Sequence, residues 1–79
     1  MNYDLSVDFM DMTNDRRLWT RLADARPGFV AVAGRYVVVG SDDADNAVAQ
    51  ILSVDISGRI ELEILRGPAE AHSSLLAPA

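Results

Sequence analysis

The segment Arg59 to Ile64 alternates without exception, with Ile60, Leu62 and Ile64 set against Arg59, Glu61 and Glu63. Successive side chains of a β-strand point to opposite faces, so this pattern defines a strand with one face against a core and the other in water. A helix would scatter the same residues around its whole circumference. Asp55-Ile56-Ser57-Gly58 precedes it as a tight connection, and Ala47 to Val54 before that is apolar and β-leaning. Together these predict a hairpin. The weak alternation of Ala47 to Val54 fits a strand buried on both faces.

The same period of two appears at the start of the chain, where Tyr3, Leu5, Val7 and Phe9 alternate with Asp4, Ser6 and Asp8. Asp11 to Arg16 follows, rich in side chains that bond their own backbone and so favour a turn. The next segment, Arg17-Leu18-Trp19-Thr20-Arg21-Leu22, has two readings. As a strand it forms a hairpin with the first and sets Leu18, Thr20 and Leu22 on one face and Arg17, Trp19 and Arg21 on the other. As a helix over about 14–25, Thr13 is its N-cap and Leu18, Leu22 and Ala25 its apolar stripe. The strand is preferred, because a helix this short with so narrow a stripe depends heavily on packing.

Asp24 to Gly28 is a breaker through Pro27 and Gly28. Phe29 to Val39 is β-branched and aromatic, interrupted by Gly34, and predicts one kinked strand or two short ones. Gly40 to Asn46 is an acidic turn. Pro68 at a first helical position and Glu70 in the first turn predict a short helix to about Leu76 that plugs one end of the sheet. Ala77 to Ala79 is expected to fray. The expected fold is mainly β: a single domain over 1–79, a small, strongly bent antiparallel barrel of five or six strands with a short C-terminal helix. The alternative is α+β, with a helix at about 14–25.

At 79 residues one core is all such a chain can close. It has no cysteine, so neither a disulfide nor a thiolate metal site supports that core, and self-association as a homodimer is one way to supplement it. A cytoplasmic location fits. Met1 to Met10 carries Asp4 and Asp8 where a secretion signal has basic residues, and the longest apolar segments, such as Tyr36 to Val39, are far too short to span a bilayer. The net charge of −5, with seven arginines and no lysine, repels phosphate backbones and anionic lipid.

No motif assembles a catalytic site, so no enzyme activity and no cofactor are expected. His72 is the only histidine, and Glu70, Ser73 and Ser74 beside it lack the preorganised surroundings a catalytic histidine needs. Asp42, Asp43, Asp45 and Asn46 offer oxygen ligands, but their spacing fails the calcium-loop pattern and no metal is expected. The stretch Gly40 to Asp45 lacks the Gly-Lys-Ser/Thr ending of a phosphate-binding loop. Arg17, Trp19 and Arg21 form the candidate binding cluster, since Trp and Arg dominate interaction hot spots. The expectation is a non-catalytic protein-interaction module with a protein partner. The alternatives are an accessory, chaperone-like regulator of a larger enzyme, or a weak single-stranded nucleic-acid binder in which Trp19 stacks a base and Arg16, Arg17, Arg21 and Arg26 meet phosphates.

Three resemblances accompany this reading. The strand rhythm from Gly34-Arg35-Tyr36-Val37-Val38-Val39-Gly40 through Ala47-Val48-Ala49-Gln50-Ile51 to Gly58-Arg59-Ile60-Glu61-Leu62, within 34–65, resembles that of small Tudor-like and KOW-like barrels. The whole chain, including Arg17 to Leu22 and Leu65 to Pro68, is similar to short small-β-barrel proteins of high-GC bacteria that carry no assigned function. Leu18-Trp19, Ala23-Asp24, Pro27-Gly28-Phe29 and Gly34 resemble segments of MbtH-like proteins, small partners of adenylation domains, although Thr20 stands where that family has proline and nothing after Gly40 matches its later half. This last resemblance implies a small protein that binds and stabilises an enzyme.

Overall fold

The computed structural model describes residues 3–76. Its architecture is the mainly β one expected: five strands in a single curled half-barrel sheet, with one short helix near the C-terminus. The strands are β1 (Leu5–Ser6), β2 (Arg17–Arg21), β3 (Tyr36–Ser41), β4 (Ala44–Val54) and β5 (Arg59–Ile64), in the spatial order β1-β3-β4-β5-β2. The helix over 14–25 does not form. Arg17 to Arg21 is a strand because Leu18 and Thr20 bury one face while Trp19 and Arg21 stay out.

The centre of the sheet is the meander β3–β4–β5. Val37, Val39, Ala47, Ala49, Ile51, Ile60, Leu62 and Ile64 point inward from it, and Leu5, Val7 and Leu18 complete the core. Ala47, Val48 and Ala49 are buried in succession, which is the two-sided burial that the weak alternation implied. Val48 lies outside the core cluster. The 3₁₀ segment Ala69–Leu76 packs against β3 and β4 and is kinked at His72. The expected helix therefore forms, packed on two strands, with Pro68 and Glu70 at its start lining the cleft beside the β3–β4 turn.

Three other expectations need correction. Only Leu5 and Ser6 of the first alternating segment are in a strand, because Asp8 caps a 3₁₀ turn over Phe9–Asp11 by accepting from the Met10 N–H. β1 does not form a hairpin with β2. It pairs in parallel with β3, while β2 pairs antiparallel with β5, Leu18 facing Leu62. The turn before β2 accounts for this: Thr13 brackets Arg17 with backbone and hydroxyl bonds, and Arg16, at φ 65°, donates from Nε to the Ile64 carbonyl and from Nη2 to that of Leu65. That fork ties the start of β2 to the end of β5. Finally, Phe29 to Arg35 is loop, broken at Pro27-Gly28 and Ala33-Gly34, and the strand begins only at Tyr36. The frayed end expected at Ala77 to Ala79 lies outside the described residues.

The gap between the edge strands β1 and β2 is spanned by Thr20, the one buried polar side chain among the described residues, whose hydroxyl donates to the Ser6 carbonyl at 2.8 Å. A second clasp, Asp4, accepts from Arg26 Nε at 2.8 Å and from the Val38 N–H at 3.0 Å, fastening the 22–29 loop to β1 and β3.

Candidate functional site

Trp19, Arg17 and Arg21 occupy the outer face of β2, as the period of two requires once Leu18 and Thr20 are inside. The three do not share one environment. Arg17 is matched: its Nη1 donates to Glu61 Oε2 at 3.1 Å, while the other carboxylate oxygen of Glu61 accepts from the Ser53 hydroxyl at 3.4 Å. Its Nε, shielded from solvent, has no hydrogen-bond partner among the described residues and lies 4.0 Å from the Asp15 carboxylate. The Thr13 hydroxyl and the charge of Arg17 hold the Asp15 carboxyl below its ordinary range.

Trp19 is 41% exposed on the outside of the sheet, so it does not cap the core. The Arg59 guanidinium sits 5.5 Å from its ring centroid, a cation–π contact that holds the indole in place. Arg59 was not among the expected site residues. It arrives through register, since β5 runs antiparallel to β2 and sets Arg59 directly opposite Arg21. Neither Arg21 nor Arg59 has an ion pair among the described residues.

Beyond them lies the β4–β5 turn. Asp55 Oδ1 accepts from the Ser57 hydroxyl at 2.5 Å, the Ser57 N–H at 2.8 Å and the Arg59 N–H at 3.2 Å, and Gly58 supplies the φ of 89° that returns the chain. These donors, the Ser57 hydroxyl first, and the charge of Arg59 lower the Asp55 pKa against an opposing effect of burial. With the backbone so committed, Ile56 projects fully into solvent at the tip, and Leu22 is exposed beside it in the 3₁₀ turn Leu22–Asp24. The sequence did carry a signal for Ile56: no tight turn requires an isoleucine at that position.

The shallow depression over Trp19, Thr20, Arg21, Ser57 and Arg59 measures about 350 Å³ and continues past Arg21 to Leu22, Ala23, Ile56 and Gly58. Small-molecule sites are concave chambers of ~300–1,000 Å³ that engulf the ligand. This open surface, apolar at Trp19, Leu22 and Ile56 and rimmed by two guanidiniums, suits side chains of a partner instead.

The other candidates have local roles. His72 Nε2 lies 2.6 Å from the Arg66 carbonyl, to which its N–H donates, pinning the kinked 3₁₀ segment to the chain before it. Among the described residues, none of Glu70, Ser73 and Ser74 hydrogen-bonds to the ring. Asp42, Asp45 and Glu70 line an open cleft with Tyr3 and Asn46 at the β3–β4 turn, and Asp42 accepts from the Tyr3 hydroxyl at 3.4 Å. Among the described residues no three His, Asp or Glu side chains gather to hold a metal ion, and no helix is long and apolar enough to cross a membrane. Comparison with known proteins finds no matching family, no matching curated protein and no matching solved structure, so nothing there bears on the Tudor-like, KOW-like or MbtH-like resemblances.

Proposed function

We infer that this chain is a non-catalytic interaction module that docks a protein partner on the surface around Trp19. The observation that carries the reading is an indole held on the outside of the sheet by Arg59, beside the exposed side chains of Leu22 and Ile56. Burying exposed apolar surface is the main driving force of association, and Trp and Arg are the residues most enriched where that energy concentrates. The commitment of the only histidine to a backbone carbonyl supports a non-catalytic role. An accessory of a larger enzyme is the same reading with the partner specified as that enzyme. The cysteine-free composition favours the cytoplasm as its location.

Capture of partners from the native lysate by the immobilised chain tests this. Ile56→Asp and Trp19→Ala are each expected to abolish capture while far-UV dichroism stays that of the wild type. Capture that survives both substitutions overturns the reading. Light scattering at two concentrations tests a homodimer: a mass that doubles with concentration supports it, and a monomer throughout removes it.

A further inference from the structure

We propose that the docking surface recognises an acidic segment of another protein, whose carboxylates engage Arg21 and Arg59 while an apolar side chain packs between Leu22 and Ile56. This rests on the docking reading above and specifies its partner. The starting point is how the arginines are used. Arg17 pairs with Glu61, Arg26 with Asp4, and Arg16 with the two carbonyls at the end of β5. Arg21 and Arg59, in contrast, face each other directly across two strands. Like charges in that position destabilise a sheet. Four residues earlier on β2 the chain supplies a carboxylate across from the arginine; here it supplies a second arginine, beside the only tryptophan.

On the outer face neither guanidinium has an ion pair among the described residues, although the charge of Arg59 is felt at Asp55. The Asp55 carboxylate is occupied by Ser57 and the Arg59 backbone N–H. Asp8, Asp11 and Asp24 line the groove on the far side of Trp19 and Arg21, along the seam with β1. That acidic groove and the Thr20 bond to Ser6 guard the free edge of β2, so the partner meets side chains on the outer face and does not add a strand to the sheet. Paired guanidiniums suit carboxylate because each presents a planar fork of donors. A nucleic acid fits less well: the chain carries −5 overall, and Leu22 and Ile56 offer a phosphate backbone nothing. A second copy pairing β2 to β2 about Trp19 would set Arg17 of each against Arg21 of the other, which is repulsive.

Trp19 is the only tryptophan, so its emission reports on this surface directly. The full chain is titrated with a short capped peptide of glutamates interspersed with leucines, with the same peptide carrying glutamine for glutamate, and with oligothymidylate. The glutamate peptide is expected to shift Trp19 emission saturably, with affinity falling as salt rises. Arg21→Gln and Arg59→Gln are each expected to weaken it about tenfold with dichroism unchanged. Equal titration by the glutamine peptide, tighter titration by oligothymidylate, or no saturation by the glutamate peptide overturns the proposal. Lysate capture separates the two levels: if Ile56→Asp abolishes capture and the two arginine variants retain it, the docking surface stands and the acidic partner fails. If all three variants retain it, both fall.

Discussion

The two turns that end β4 make the useful comparison. Both are built on aspartate, and they lie at opposite ends of the molecule, because eleven residues of strand span roughly 35 Å and the longest extent is 32 Å. At the β3–β4 end, Asp42 and Asp43 turn the chain in two residues, and the irregularity falls two positions earlier at Gly40, where the register shifts between Val39 and Ser41. The ring of Tyr3 lies over that glycine and its hydroxyl reaches Asp42, so the end is covered and acidic. At the β4–β5 end, Asp55 is turned inward on the loop and holds it by three hydrogen bonds, and Gly58 carries the positive φ. There the aspartate stabilises the backbone and the apolar side chain is left outside. One residue type can thus form a surface or serve as an internal fastening, depending on whether donors surround it.

Substitutions at each end test the contrast. The largest effect is expected at Gly40→Ala, where an added Cβ would stand 2.6 Å from Tyr3 Cδ2 and also against Asn46 Oδ1. Displacing the ring is expected to cost about 1–3 kcal/mol in urea unfolding. An unchanged midpoint would show that Tyr3 does not hold that end. Gly58→Ala is expected to cost roughly 1 kcal/mol by a different route: its nearest neighbour is Leu22 Cβ at 3.6 Å, so there is room, and the penalty is the left-handed backbone alone. If Gly58→Ala proves the more harmful of the two, conformation outweighs packing and the comparison fails.

The smallest effect is a matter of pH. The folded Asp55 pKa is depressed, so its contribution is complete above the ordinary carboxylate value and disappears as pH falls through the folded one. Asp55→Asn is therefore expected to lower the urea midpoint at neutral pH, with the gap to wild type closing in acid. A gap that stays constant across that range would mean that the carboxylate charge plays no part in the turn.

What the residues announced and what they concealed follows from the same physics. Alternation states which face a side chain takes, and it placed Leu18 and Thr20 inside and Arg17, Trp19 and Arg21 outside. It also put Leu22 inside, but the strand stops at Arg21 and the 3₁₀ turn that follows leaves Leu22 exposed. It does not say which strand lies alongside. β1 was therefore assigned to the wrong neighbour, and Arg59, brought to Trp19 by register with β5, went unforeseen. Phe29 to Arg35 misled because its valines suit a strand, yet turns at Pro27-Gly28 and Ala33-Gly34 deny it a ladder and leave Val30 and Val32 exposed. The C-terminal segment was legible from Pro68 and Glu70, but its resting place against β3 and β4 was not, because start signals do not say which strands a helix packs on.

The strand order bears on synthesis. Within the sheet β1 and β2 ladder with β3 and β5, which lie later in the chain; outside it Leu5 bridges to Ala25, Asp4 is clasped by Arg26, and a single hydroxyl joins the two strands across the seam. During synthesis β1 and β2 emerge before either strand they ladder with has been translated. β1 gains its ladder once β3 is made, but β2 gains none until Arg59 to Ile64 has been added, so the sheet is finished by an early strand docking on a later one.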